Sequence, residues 1–133
     1  VNLSDVTAGV QRTLAAYCQA LDDGRTDDVV ACFCDDAKID IPGQGVFEGT
    51  AAIAEAFAGW TPRVPQRHLV LNTHVVELLE DESKVHVVSD LVFYAKVGDP
   101  ATWQIQMLGR YDDVLRLEPD GQWRLHRRRA SFE

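Results

Sequence analysis

The sequence predicts an α+β fold in which helices come first and a meander of long antiparallel strands follows. Three observations carry this reading. Apolar residues recur at helical spacing near the start of the chain, four β-rich runs occupy 67–79, 84–97, 102–117 and 122–132, and the turn sequences EDES, GDPA and EPDG join those runs. Strands of that length exceed the usual five or six residues, so the sheet must twist and curl. A strongly curved, mostly antiparallel sheet closed by three N-terminal helices makes a cone enclosing a pocket, and small ligands bind in such cavities. At 133 residues the chain fits one domain, 1–133, with no internal repeat.

Taken in order, Ser4 is placed to cap a first helix whose stripe is Val6, Val10, Leu14, Tyr17 and Leu21, and Gly24 ends it by accepting a left-handed conformation. Thr26 starts a short second helix through 33, with Asp27 and Asp28 at the end where the helix dipole favours acids. Residues 37–41 alternate like a short strand that stops at Pro42-Gly43-Gln44-Gly45, and Thr50 caps a third helix over 51–58. The runs HLVLNTHVVELL and VHVVSDLVFYA are apolar on both faces. Helices cover only one face of such a sheet, so the second is expected against another subunit, in a homodimer.

Composition narrows the function classes. A net charge of −8 repels a phosphate backbone, and the basic cluster Arg127-Arg128-Arg129 alternates faces in a strand instead of forming a patch, so nucleic acid is not an expected partner. No apolar run approaches a membrane span, and no apolar segment follows a basic start, so a cytoplasmic location is expected. Cys18, Cys32 and Cys34 are odd in number and contain no C-x-x-C pair, and they read as small buried apolar residues. No constellation has metal-ligand spacing, so no metal is expected.

A few polar residues do not fit a bland core. His68 opens an otherwise apolar strand, HLVLN, where that strand enters the mouth of the cone. Asp90 is a lone carboxylate inside VHVVSDLVFYA, and such a charge must be paired or face a wet cavity. Tyr17 lies in the apolar stripe of the first helix, and its hydroxyl needs a partner. Asp22 and Asp23 sit at a helix C-terminus, where the dipole disfavours acids by roughly 0.3–1 kcal/mol each. Asp22 is about 140° round from Tyr17, at the edge of the stripe, whereas Asp23 reads as a frayed, solvated end. His86 and His126 read as surface or satisfied histidines, and His74 is ambiguous.

The order of the pieces Y-x-x-x-x-D-D-G, F-C-D-D-A-K-I-D, G-x-x-x-I, R-H-L-V-L-N, G-R-Y-D-D and D-G-Q-W-R-L-x-R-R, over about residues 5–130, resembles the SnoaL-like branch of the NTF2-like superfamily. Within it the chain is similar to the scytalone dehydratase and bile acid 7α-dehydratase group, whose members use an Asp–His pair. The resemblance puts Asp22 at the helix-end aspartate, His68 at the strand-start histidine, Tyr17 at the tyrosine five residues before the aspartate, and Asp90 at a mid-strand aspartate. The C-terminal arginine falls on Arg128 or a neighbour, because a bulge in the last strand changes which side chain points inward. The second pocket histidine of scytalone dehydratase has no counterpart in FYAK, and the ketosteroid isomerase base is replaced by Ile41.

The resemblance therefore implies a cofactor-independent lyase of the dehydratase type acting on a cyclic or polyketide-like apolar small molecule. Asp22 would hold His68 and stabilise its imidazolium, His68 would abstract the proton, and Tyr17 with an inward arginine would donate to the developing oxyanion. Asp90 would orient a partner or assist the leaving group. An isomerase, cyclase or epoxide hydrolase in the same pocket, or a noncatalytic ligand-binding or dimerisation module, is the alternative.

Overall fold

The computed structural model describes residues 2–133, as α1 (Leu3–Asp22), α2 (Thr26–Val30), β1 (Phe33–Ile41), β2 (Gly45–Glu48), α3 (Thr50–Ala58), β3 (Gln66–Leu79), β4 (Lys84–Val97), β5 (Thr102–Leu117) and β6 (Trp123–Phe132). The strands form one sheet in the order β2-β1-β6-β5-β4-β3, antiparallel throughout except where β1 runs parallel to β6. The curved α+β architecture predicted from the strand lengths is the one observed.

Helix α1 buries the stripe Val6, Val10, Leu14, Tyr17, Cys18 and Leu21 against the sheet. Its cap is Asn2 instead of Ser4: the Asn2 Oδ1 accepts from the backbone of Ser4 at 2.8 Å and Asp5 at 3.4 Å. Gly9 lets the helix lie close on Trp123, since a Cβ there would stand 2.5 Å from the indole Cδ1, and the Thr13 hydroxyl donates to the Trp123 carbonyl. These contacts lock the helix onto the start of β6, while its other end reaches β3. Gly24, at φ +72°, turns the chain out of the helix.

Helix α2 stops at Val30, earlier than predicted, and the chain is in strand by Phe33. The competing interaction is with β6, where the Leu125 amide donates to the Cys32 carbonyl at 2.9 Å. The four-residue β2 was not foreseen, being too short for its alternation to register, and it pairs with β1 across the turn at Pro42. Gly49, at φ +86°, occupies the N-cap of α3, and the hydroxyl of Thr50 instead reaches the Asp35 carbonyl at 3.5 Å.

Several register slips interrupt the sheet, and two of them bear on the site. In β3 the register slips between Leu71 and His74, with Asn72 in the left-handed region at φ +53°. In β6 it slips at His126, so that Trp123 and Leu125 are buried on one parity and Arg128 and Ala130 on the other. The inner face carries the main core, with a smaller cluster of Leu91, Tyr111 and Ala130 backed by Val70 and Met107. On the outer face Leu69, Leu71, Trp103, Ile105 and Leu108 are exposed. Among the described residues no helix is long and apolar enough to cross a membrane.

Candidate active site

The end of α1 and the start of β3 meet at Asp22 and His68. The carboxylate accepts from the His68 ring at 2.7 Å (Nδ1 to Oδ1), from the His68 backbone amide at 2.8 Å (N to Oδ2) and from the Gln66 side chain at 3.2 Å (Nε2 to Oδ1). With the carboxylate ionised, both oxygens are met by N–H donors and the ring proton sits on Nδ1. Nε2, the opposite ring nitrogen, has no partner among the described residues. The ring stacks on Phe93 with centroids 4.4 Å apart and an interplanar angle of 24°. Asp22 is therefore not a frayed end: its side chain is 5% exposed and that of His68 14%. Asp23 is solvated, with a 3.4 Å contact to Arg25. Gln66, one residue before the predicted strand 67–79, is a third member of this cluster.

Deeper along the same face lies a buried ionic group. Arg128 donates to Asp113 through Nε at 2.8 Å and Nη2 at 2.9 Å, and the two side chains are 2% and 0% exposed. Its Cζ lies 3.6 Å from the centroid of the Tyr111 ring and 4.7 Å from that of Tyr17, so two aromatic faces cover the guanidinium. The remaining nitrogen, Nη1, is buried with no hydrogen-bond partner among the described residues. Arg127 and Arg129 are exposed, so the bulge at His126 has chosen Arg128 for the interior.

Burial pushes the Tyr17 phenol up to about 12, with Arg128 pulling the other way, and also raises Tyr111 well above the usual phenol range. Burial likewise pushes the Cys18 thiol up to about 12. All three are protonated at neutral pH. Burial opposes the charge on Arg128, but the Asp113 carboxylate more than restores it. Tyr17 also packs edge-on against Phe33 and Phe57, each at 5.9 Å, and its hydroxyl shares a hydrogen bond with Tyr111.

Asp90 is not part of this group. Four of its β4 neighbours, Val85, Val87, Ser89 and Leu91, are buried, and the pleat turns Asp90 to the opposite, outer face. There it takes hydrogen bonds from the Arg110 Nε and the Asn72 Nδ2, both at 2.8 Å, and those two donors hold it below the usual carboxylate range. The interior carboxylate is Asp113. A signal for it exists in GRYDDVLRL, since two adjacent acids in a strand face opposite sides and one must point inward. Of the other histidines, His86 pairs with the exposed Asp112 at 2.8 Å, His126 lies 3.3 Å from Asp36, and His74 is exposed.

A groove of about 520 Å³ runs between α1 and β3, bordered by Leu14, Cys18, Asp22, His68 and Val70. Val70, which borders this groove, packs in turn on the cluster of Leu91, Tyr111 and Ala130, and the Tyr111 ring covers Arg128. A second groove of about 640 Å³ at the far end is bordered by Asp27, Asp35, Glu118 and Asp120 and contains no histidine. No group of three or more metal-ligating side chains occurs among the described residues.

Comparison with known proteins finds the same fold in solved structures. ActVI-ORFA from Streptomyces coelicolor superposes with a TM-score of 0.85 at 18% identity over 96% of this chain and 97% of its own. A protein of unknown function from Mycobacterium tuberculosis gives 0.84 at 24% identity, over 96% and 71%. One from Novosphingobium aromaticivorans, provisionally named a scytalone dehydratase, gives 0.81 at 20% identity, over 96% and 83%. At these identities the likeness is one of fold. No curated protein matches the sequence. The SnoaL-like domain pattern, however, matches residues 3–129, nearly the whole of the chain that builds the curved sheet and its helices. This chain belongs to the SnoaL-like domain family.

Proposed function

We propose that the protein is a cofactor-independent lyase of the dehydratase type, acting on a cyclic or polyketide-like, largely apolar small molecule. The observation that carries this reading is the Asp22–His68 pair, in which the carboxylate fixes Nδ1 and leaves Nε2 free beside a groove. A carboxylate so placed sets the tautomer and stabilises the imidazolium that forms when Nε2 takes a proton. The C-terminus of α1 adds partial negative charge in the same sense.

In the reaction, His68 Nε2 removes a proton from the carbon next to a carbonyl, and the electron pair moves onto the carbonyl oxygen. As the carbonyl re-forms, the β-hydroxyl leaves, taking the proton from the imidazolium to depart as water and leaving a conjugated double bond. General base catalysis of this kind contributes typically 10²–10⁴-fold. Tyr17, kept protonated by burial, and Arg128 donate to the developing oxyanion or the departing hydroxyl. The name given to the Novosphingobium aromaticivorans relative supports the dehydratase chemistry over the other proton transfers the same pocket would serve.

The test uses 3-hydroxy-1-tetralone, whose loss of water gives fluorescent 1-naphthol. The protein is expected to accelerate this reaction over the buffer rate, and His68→Ala to abolish the acceleration while the fold is retained by circular dichroism. A protein that binds the compound but releases no 1-naphthol above background is a noncatalytic binding module.

A further inference from the structure

We propose that Asp113 determines the ligand specificity of this site: by pairing with Arg128 it selects uncharged carbonyl ligands and excludes carboxylates. This rests on the reading of the interior as a small-molecule site. Both oxygens of Asp113 accept N–H bonds from one edge of the guanidinium fork, Nε and Nη2, so neither carries a proton and the pair is neutral as a whole. The fork's other edge ends in Nη1, which is buried and lacks an acceptor. That combination is unusual: a cationic donor with its charge cancelled and both N–H bonds of Nη1 left to give.

The charges on this face add up to the same preference. Asp22 and Asp113 are two carboxylates against the single guanidinium of Arg128, and Tyr17, Tyr111 and Cys18 are protonated. With a neutral imidazole the interior carries one net negative charge. A ligand carboxylate would add a second in surroundings where like charges repel strongly. A ketone adds none, and the negative charge of its enolate appears only as His68 becomes positive, so the balance holds through the reaction. Nη1 offers the donor such an oxygen needs. Removing the charge of Asp113 frees Arg128 as an unpaired cation, and the site should then take the anion.

The experiment compares two ligands of the same shape, 2-acetonaphthone and 2-naphthoate, binding at pH 7 to the native protein and to Asp113→Asn. The readout is the ¹³C methyl signal of Met107, the one methionine of the chain, which packs on Leu91, Tyr111 and Ala130. The native protein should favour the ketone by roughly tenfold or more, and Asp113→Asn should narrow or reverse that ratio by a similar factor. Equal or tighter binding of naphthoate by the native protein, binding of neither compound, or an unchanged ratio in the variant would overturn the proposal. Should Asp113→Asn not fold, the native ratio still decides. Turnover is a separate measurement: a ketone preference without catalysis removes the lyase reading and leaves this one standing, whereas catalysis with a carboxylate preference does the reverse.

Discussion

Replacing Asp22 by asparagine tests the dyad most sharply, because the change keeps shape and removes charge. The carboxylate accepts three N–H bonds, two at Oδ1 and one at Oδ2. An amide has one acceptor oxygen, and the fixed backbone N–H of His68 claims it. The NH₂ group then faces Nδ1, which must become an acceptor, so the ring proton moves to Nε2 and the base is lost. Gln66 adapts by flipping its own amide. Stability should therefore fall modestly: charge-assisted bonds become neutral ones, a difference of about 1 kcal/mol per bond, while relief at the helix end returns roughly 0.3–1 kcal/mol. The expected net loss is roughly 2–3 kcal/mol. Activity should fall by much more, about 10²–10⁴-fold, which is the whole contribution of the base. His68→Ala should lose a similar amount, and the double variant little more than either alone. Dehydration of 3-hydroxy-1-tetralone from pH 5 to 9 gives the rates, urea titration the stabilities, and ¹⁵N spectra of labelled histidine the tautomer. Additive losses, or an Asp22→Asn protein with the parent rate and its proton still on Nδ1, would refute the dyad.

Three further outcomes follow from the structure. Asp90→Asn should leave turnover within about twofold of the parent, since the residue faces outward to Arg110 in a solvent-exposed pair of the kind that contributes little; a hundredfold loss would return Asp90 to the reaction. From about pH 7 stability should be level to about pH 9 and fall from there to pH 12. The unfolded chain releases the Cys18 and Tyr17 protons near 9 and 10, whereas burial makes the folded chain hold both to about 12, so rising pH favours unfolding. At about 1.4 kcal/mol per pH unit Tyr17 alone accounts for roughly 2–3 kcal/mol, and a urea midpoint unchanged between pH 8 and 11 would contradict the burial argument. Sedimentation should give twice the 14.8 kDa chain mass, with Leu71 and Ile105 in the shared face, and Ile105→Asp should shift the species to monomer; a native monomer at micromolar concentration would remove the dimer.

Local sequence determined most of the fold. The stripe from Val6 to Leu21 needed only helical periodicity, and the strand meander only long β-rich runs with turn residues between them. Glu80, Asp81 and Glu82, all at positive φ, form the turn their sequence announced. These features depend on residues within one turn or one strand, where spacing alone carries the information. Element ends were less legible, because α2 ends where Cys32 finds a partner in β6, at Leu125 far along the chain.

The site was legible in kinds of residue and less so in their directions. Asp22 and His68 were recognisable from motif order, but their three-way contact with Gln66 exists only once α1 crosses the start of β3. Strand alternation says that neighbours face opposite ways without saying which is inside, and one inserted residue inverts the answer. In β6 the slip at His126 turns Arg128 inward and leaves Arg127 and Arg129 in solvent. In β4 and β5 the pleat sends Asp90 out and Asp113 in, where it meets the arginine fifteen residues on. A bulge is settled by which backbone groups of the neighbouring strand are free to pair, and that is a property of the assembled sheet.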